Sequence, residues 1–154
     1  MSAPTTTPSL TDRNLEAALT TVQTEIGRTD GKASLLLAFN GACLAGLASL
    51  AGEDLPTPTQ VLGGMAVAAI GAATVLLLLV VRPRLGGQDR ASFPYWARLA
   101  ETQIHACMNG DTRAARIRIL SRIALAKFAR LRRAVDCTLA ALALLALAAA
   151  GALL

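Results

Sequence analysis

Three long apolar runs with no polar stripe limit this chain to folds that a bilayer, rather than water, can solvate. Positions 33–51 and 61–81 contain no charged residue, and positions 135–154 contain only Asp136, close to one border. A helix rises about 1.5 Å per residue, so about 20 apolar residues cross a hydrocarbon core of roughly 30 Å. Each run meets that length. A soluble core helix would show polar residues returning at a period of about 3.6, and these runs show none. The expectation is an all-α membrane protein: a transmembrane helical hairpin plus a C-terminal transmembrane helix, with a cytoplasmic helical bundle.

With 154 residues in all, these spans leave only two polar stretches, 1–32 and 82–134. Neither can bury enough apolar surface to fold alone, so both are expected to be helical extensions of the spans. Charge sets their side. Of the fifteen Lys and Arg, twelve lie in 82–134 against only Asp89, Glu101 and Asp111, whereas the 52–60 linker holds Glu53 and Asp54 and no base. The positive-inside tendency then places 82–134 and the N-terminus of a multi-pass membrane chain in the cytoplasm. The net charge of +5 is accounted for by that asymmetry and does not call for nucleic acid. The first 32 residues carry Asp12, Glu16, Glu25 and Asp30 and do not read as a cleavable signal. Cys43, Cys107 and Cys137 form no CxxC spacing, so neither a disulfide nor a metal site is expected.

Along the chain, 1–8 is a Thr, Pro and Ser tract expected to be a disordered tail. Ser9 with Asp12 has the form of a capping box, so an amphipathic cytoplasmic helix is expected over 9–32. Its apolar stripe is Leu15, Ala18, Leu19, Val22 and Ile26. Gly27 and Gly31 permit a bend before the first span at 33–51; one straight helix over about 11–50 fits equally. Gly52, Pro56 and Pro58 mark an external turn at 52–60 before the second span at 61–81. Arg82-Pro83-Arg84 and Gly86-Gly87 end that span and open the basic helical loop, 82–134. Within it a helix is expected from Pro94, with Trp96, Leu99, Ala100, Gln103, Ile104 and Cys107 on one face, broken at Asn109-Gly110-Asp111. From there Ile117, Leu120, Ala124, Phe128, Leu131 and Val135 repeat every three or four residues, predicting one helix running into the third span at 135–154.

Enzyme signatures are absent: there is one histidine, His105, and no Gly-rich phosphate loop, GxSxG or HExxH. The arginines are the chemically informative set. Guanidinium forks bind phosphate bidentately, and Arg98, Arg113 and Arg116 flank the Asn109-Gly110-Asp111 turn with Trp96 available for stacking. Arg130, Arg132 and Arg133 adjoin the third span and read most simply as a lipid-surface anchor. In the first span Asn40 interrupts an apolar run beside Gly41 and Gly46, and Gly64 supplies small-residue spacing in the second. These four are expected to serve membrane packing, within one chain or between chains.

The stretch Asp30-Gly31-Lys32-Ala33-Ser34-Leu35-Leu36-Leu37, followed by Asn40-Gly41, resembles the entry to the first span of the small transmembrane effectors of bacterial Pycsar antiphage systems. The order of elements is similar too, from about Leu15 to the end. The resemblance implies a non-enzymatic effector paired with a pyrimidine cyclase. A cyclic pyrimidine nucleotide, cyclic UMP or cyclic CMP, would activate it to impair the inner membrane and abort infection. The leading reading is an oligomeric switch, a homo-oligomer acting on the lipid bilayer, and the resemblance supplies no nucleotide motif to carry over. The ligand residues Trp96, Arg98, Arg113 and Arg116 therefore rest on charge alone. Two other readings remain open: a constitutive membrane scaffold or sensor that anchors a partner protein through its cytoplasmic helices, and a related two-span SLATT-type effector answering to another nucleotide.

Overall fold

The computed structural model describes residues 9–50, 52–83 and 92–152, apart from the side chain of Phe93. The expected tail at 1–8, the Arg84 and Gly86-Gly87 signals and the last two residues lie outside the described set. Among the described residues five helices follow in order: α1 (Leu10–Ser49), α2 (Thr57–Val81), α3 (Phe93–Trp96), α4 (Glu101–Cys107) and α5 (Arg113–Ala152). No strand occurs among the described residues. By length and composition α1, α2 and α5 can each cross a membrane.

Local chemistry explains where these helices begin. The Asp12 amide donates to Ser9 Oγ at 3.1 Å, while the Ser9 amide and hydroxyl donate back to Asp12 Oδ2 at 3.2 and 2.6 Å. That reciprocal cap satisfies donors that the first turn of α1 leaves open. From there α1 runs 40 residues without interruption, so Gly27 and Gly31 do not break it. Residues 57–60, expected in the turn, are already helical: Pro56 stands at the N-cap and Pro58 in the first turn of α2. Proline suits that place because the missing N–H has no helical acceptor there. The α2 end falls at Arg82, whose ψ of 123° is extended, as expected of a residue that precedes a proline.

A further expectation fails. The helix predicted from Pro94 through Cys107 is two short helices separated by a turn at 97–100. Ala100 is extended, with φ −71° and ψ 156°, and its N–H donates to Gln103 Oε1 at 3.1 Å. The side chain of Gln103 thus starts α4 afresh. The shared apolar face hid a break made by one hydrogen bond.

The chain divides into two compact units, with boundaries inside α1 at Gly27/Arg28 and inside α5 at Leu125/Ala126. In the unit built from 28–50, 52–82 and 126–152, the buried positions of α2 are Thr59, Ala66, Ile70, Ala73, Leu77 and Val80. Those of α5 are Leu131, Ala134, Thr138, Ala141 and Ala148. Steps of three, four and seven are the spacing of a coiled-coil seam. One cluster joins Ala33, Leu77, Val80, Leu131 and Ala134. A second joins Ala66, Ile70 and Ala141, flanked by Cys43, Leu44 and Leu47. The two clusters order α1 and α5 alike and α2 in reverse. Small residues dominate this seam, while Leu35, Phe39, Val61, Met65, Val75, Leu78, Leu139 and Leu147 point outward and exposed. Large apolar groups outside and alanines inside are what lipid solvation allows and water penalises. The chain is a membrane protein on that ground.

The other unit comprises 9–27, 83 and 92–125 of the described residues. Leu15, Ala18, Leu19, Val22 and Ile26 are all half-buried, while Arg13, Glu16, Thr20, Gln23 and Thr24 between them are exposed. The stripe read from the sequence is therefore the face this unit packs. Among its described residues only Ala124 is buried outright.

Candidate functional site

The polar chemistry of the unit comprising 9–27 and 92–125 gathers at the start of α5. Asp111 stands two residues before Arg113, and its Oδ1 accepts the Arg113 backbone N–H at 3.0 Å, covering a donor that the helix start leaves open. The same carboxylate accepts from Arg113 Nε at 3.0 Å and from Nη2 at 2.9 Å, so one edge of the guanidinium is held bidentately by its own loop. The other edge reaches α1. Nη1 donates to the Asp12 carbonyl oxygen at 3.3 Å, and Nη2 pairs with Asp12 Oδ1. Arg113 therefore joins two carboxylates, one local and one 101 positions away.

This arrangement moves the ionisation equilibria. The Ser9 hydroxyl, and after it Arg113, hold the Asp12 carboxyl below its ordinary range. Arg113 does the same for Asp111. The Arg113 guanidinium is pushed upward, chiefly by Asp111 and then by Asp12. Depressed carboxylates stabilise the fold above their unfolded values, and that contribution is lost as pH falls through the lower folded values. All three groups are thus charged throughout the neutral range.

One turn along α5, the Arg116 guanidinium carbon lies 5.8 Å from the centroid of the Trp96 ring, within cation–π reach. Positions 113 and 116 are three apart and share a helix face. Of the four residues singled out for an anionic ligand, the structure thus brings together Trp96 with Arg116, and sets Arg113 on the same face of α5. Arg98 is exposed in the turn that follows α3, its N–H bonded to the Tyr95 carbonyl at 3.1 Å. His105 is exposed on α4, and the three cysteines are free. No group of three or more His, Cys, Asp or Glu able to hold a metal occurs among the described residues.

Sequence reasoning missed Asp12 and Asp111 as partners of Arg113. For Asp111 the short spacing was the available signal. For Asp12 there was none beyond its place at a helix start.

The membrane unit carries two further polar contacts. Asn40 is completely buried, and Thr138 nearly so. Their Oδ1 and Oγ1 atoms lie 3.3 Å apart, while Thr138 Oγ1 also lies 3.0 Å from the Ala134 carbonyl. A hydroxyl has one proton, and the helical carbonyl is its closer acceptor. Asn40 Nδ2 has no partner among the described residues. Turning the amide over would let Nδ2 donate to Thr138 but would strand Oδ1 instead. In either orientation at least half of this buried amide is unsatisfied. At the opposite border from the α1–α2 turn, Lys127 Nζ lies 2.5 and 2.8 Å from the two oxygens of Asp30, with side-chain exposures of 13% and 37%. Lys127→Met keeps the stem and leaves Asp30 unpaired in this half-buried place. Thermal unfolding in detergent is expected to show a loss of roughly 1–2 kcal/mol, between surface and buried pairs.

The glycines behave differently from Asn40. A Cβ added at Gly41, Gly46 or Gly64 would meet nothing within 4 Å, so no close helix contact inside the chain requires them.

The family described as the Pycsar effector protein domain matches residues 14–154. No curated protein and no solved structure gives a significant match.

Proposed function

This chain belongs to the Pycsar effector family and so is an effector of antiphage defence, and we propose that a cyclic pyrimidine nucleotide activates it to impair the inner membrane. The nucleotide, cyclic UMP or cyclic CMP, comes from the partner pyrimidine cyclase, and the effector acts without catalysis. One observation carries the reading: Arg113 and Arg116, with Trp96 against the latter, stand at the very start of a 40-residue helix whose other end can cross a membrane. A phosphate and a base bound there act on the first turns of α5. Differential affinity for two arrangements of that helix then supplies the switch. The basic loop faces the cytoplasm with the N-terminus, where the cyclase product appears.

Liposomes carrying the purified protein test this directly. Dye release is expected with cyclic UMP or cyclic CMP and not with the purine analogues. Release independent of every nucleotide, or none with any, overturns the proposal. The scaffold reading draws no comparable support, because the Leu15, Ala18, Leu19, Val22 and Ile26 stripe is half-buried by the chain's own packing.

Membrane impairment by a homo-oligomer accords with the open glycine faces. Gly46→Ile adds a side chain where the single chain has room, so the monomer is expected to fold unchanged. Close helix contact between copies in lipid relies on such small residues. Crosslinked oligomer and leakage should therefore both fall; an undiminished oligomer ladder removes this face from the assembly.

A further inference from the structure

The two edges of the Arg113 guanidinium are held in different ways, and the difference bears on which anion the site takes. Asp111 grips the Nε/Nη2 edge from two residues away and also accepts the Arg113 backbone N–H. It is tied to the helix start and cannot leave without uncapping it. Asp12 holds the Nη1/Nη2 edge from a distant part of the chain, through one carboxylate oxygen and one backbone carbonyl. Its side chain is 41% exposed. Such a contact is weak in water and open to replacement. Asp12 also has a second hydrogen-bonding role to fall back on, the Ser9 cap.

Resting on the reading that this loop receives a cyclic nucleotide, we propose that Asp12 occupies the ligand's place on Arg113, and that Asp111 selects a singly charged phosphodiester over a doubly charged monophosphate. A phosphodiester oxygen pair fits the Nη1/Nη2 edge as a carboxylate does. Displacing Asp12 Oδ1 puts one singly charged acceptor in place of another on that edge. A linear monophosphate brings about one further negative charge at neutral pH, next to an Asp111 that stays in place. Like charge at that range disfavours it. The site thereby distinguishes the cyclic signal from its ring-opened product, which differs little in shape and by about one unit in charge.

The test is equilibrium binding of cyclic UMP, cyclic CMP and the matching linear monophosphates to the full-length protein in nanodiscs. Asp12→Asn is expected to tighten binding of cyclic and linear forms alike by about two- to five-fold, the worth of an exposed pair. Ser9→Ala, which removes the cap and keeps the competing carboxylate, is expected to produce no such gain. Asp111→Asn retains an oxygen to accept the Arg113 N–H and is expected to narrow the cyclic-over-linear preference by about three- to ten-fold. Circular dichroism of each variant checks that helix content is kept. Unchanged binding in Asp12→Asn, an unchanged ratio in Asp111→Asn, or full binding in Arg113→Ala each overturns this assignment while leaving the nucleotide reading standing. Absence of nucleotide binding in the unaltered protein sinks that reading instead, and this assignment with it.

Discussion

Replacing Arg98, Arg113 and Arg116 together by alanine is expected to abolish nucleotide-triggered leakage while leaving the membrane unit folded. The three residues lie in the unit comprising 9–27 and 92–125, and none contributes to the buried clusters of the membrane unit. Charge-assisted hydrogen bonds to phosphate are the strong ones, and Arg116 beside Trp96 adds a cationic surface for a stacked base. Losing these contacts should weaken binding by roughly two orders of magnitude or more. Nucleotide concentrations that saturate the unaltered protein would then give no dye release. Single substitutions should rank Arg113 and Arg116 above Arg98, which is exposed in the turn after α3. Toxicity and binding that survive the triple change would mean that the ligand sits elsewhere.

Asn40→Leu is expected to do two things at once: stabilise the resting membrane unit and suppress leakage. The amide is wholly buried, and half of it lacks a partner. A buried group left unsatisfied costs about 1–3 kcal/mol, whereas the interhelical bond to Thr138 contributes only about 0.6 kcal/mol by the average for membrane helices. Leucine keeps the same branched skeleton and takes the stranded amide away, so thermal unfolding in detergent should move upward. Thr138→Val should move it downward, because Asn40 then loses the hydroxyl 3.3 Å away and keeps its own amide. Opposite signs for two neighbouring residues are hard to obtain from generic packing damage.

The leakage half of this prediction follows from what the spans contain. Asn40, Thr74 and Thr138 are among the few polar side chains they carry, and Thr74 already donates to the Ile70 carbonyl at 2.9 Å. A rearrangement that turns Asn40 toward water, or toward a second copy, satisfies an amide the resting unit strands. Leucine gains nothing from that move. Size-graded dyes in liposomes should show release lost in Asn40→Leu at every size; unaltered release would take Asn40 out of the mechanism.

Much of this was legible along the chain because the deciding interactions are local. The Ser9–Asp12 cap spans three residues, and the Leu15, Ala18, Leu19, Val22 and Ile26 stripe repeats within one helix. Uncharged runs long enough for a bilayer announced the spans, and the uninterrupted Ile117 to Val135 repeat announced the long α5. The Asp30 to Gly41 stretch carried the family resemblance, and the family match over 14–154 agrees with it. Even so, the break at 97–100 escaped, since one Gln103 side chain outweighed a continuous apolar face.

Pairings between distant residues were another matter. That Arg113 meets Asp12, that Lys127 meets Asp30, and that Asn40 meets Thr138 depend on how each helix is rotated and slid against its neighbour. Alanine-rich seams set that rotation and register through packing, and a sequence of many alanines offers several equivalent seams. Composition and periodicity determined that this is a helical membrane chain with its positive charge gathered in one loop. Only tertiary packing decided which carboxylate holds which base, which half of a buried amide goes unpaired, and which glycines face outward.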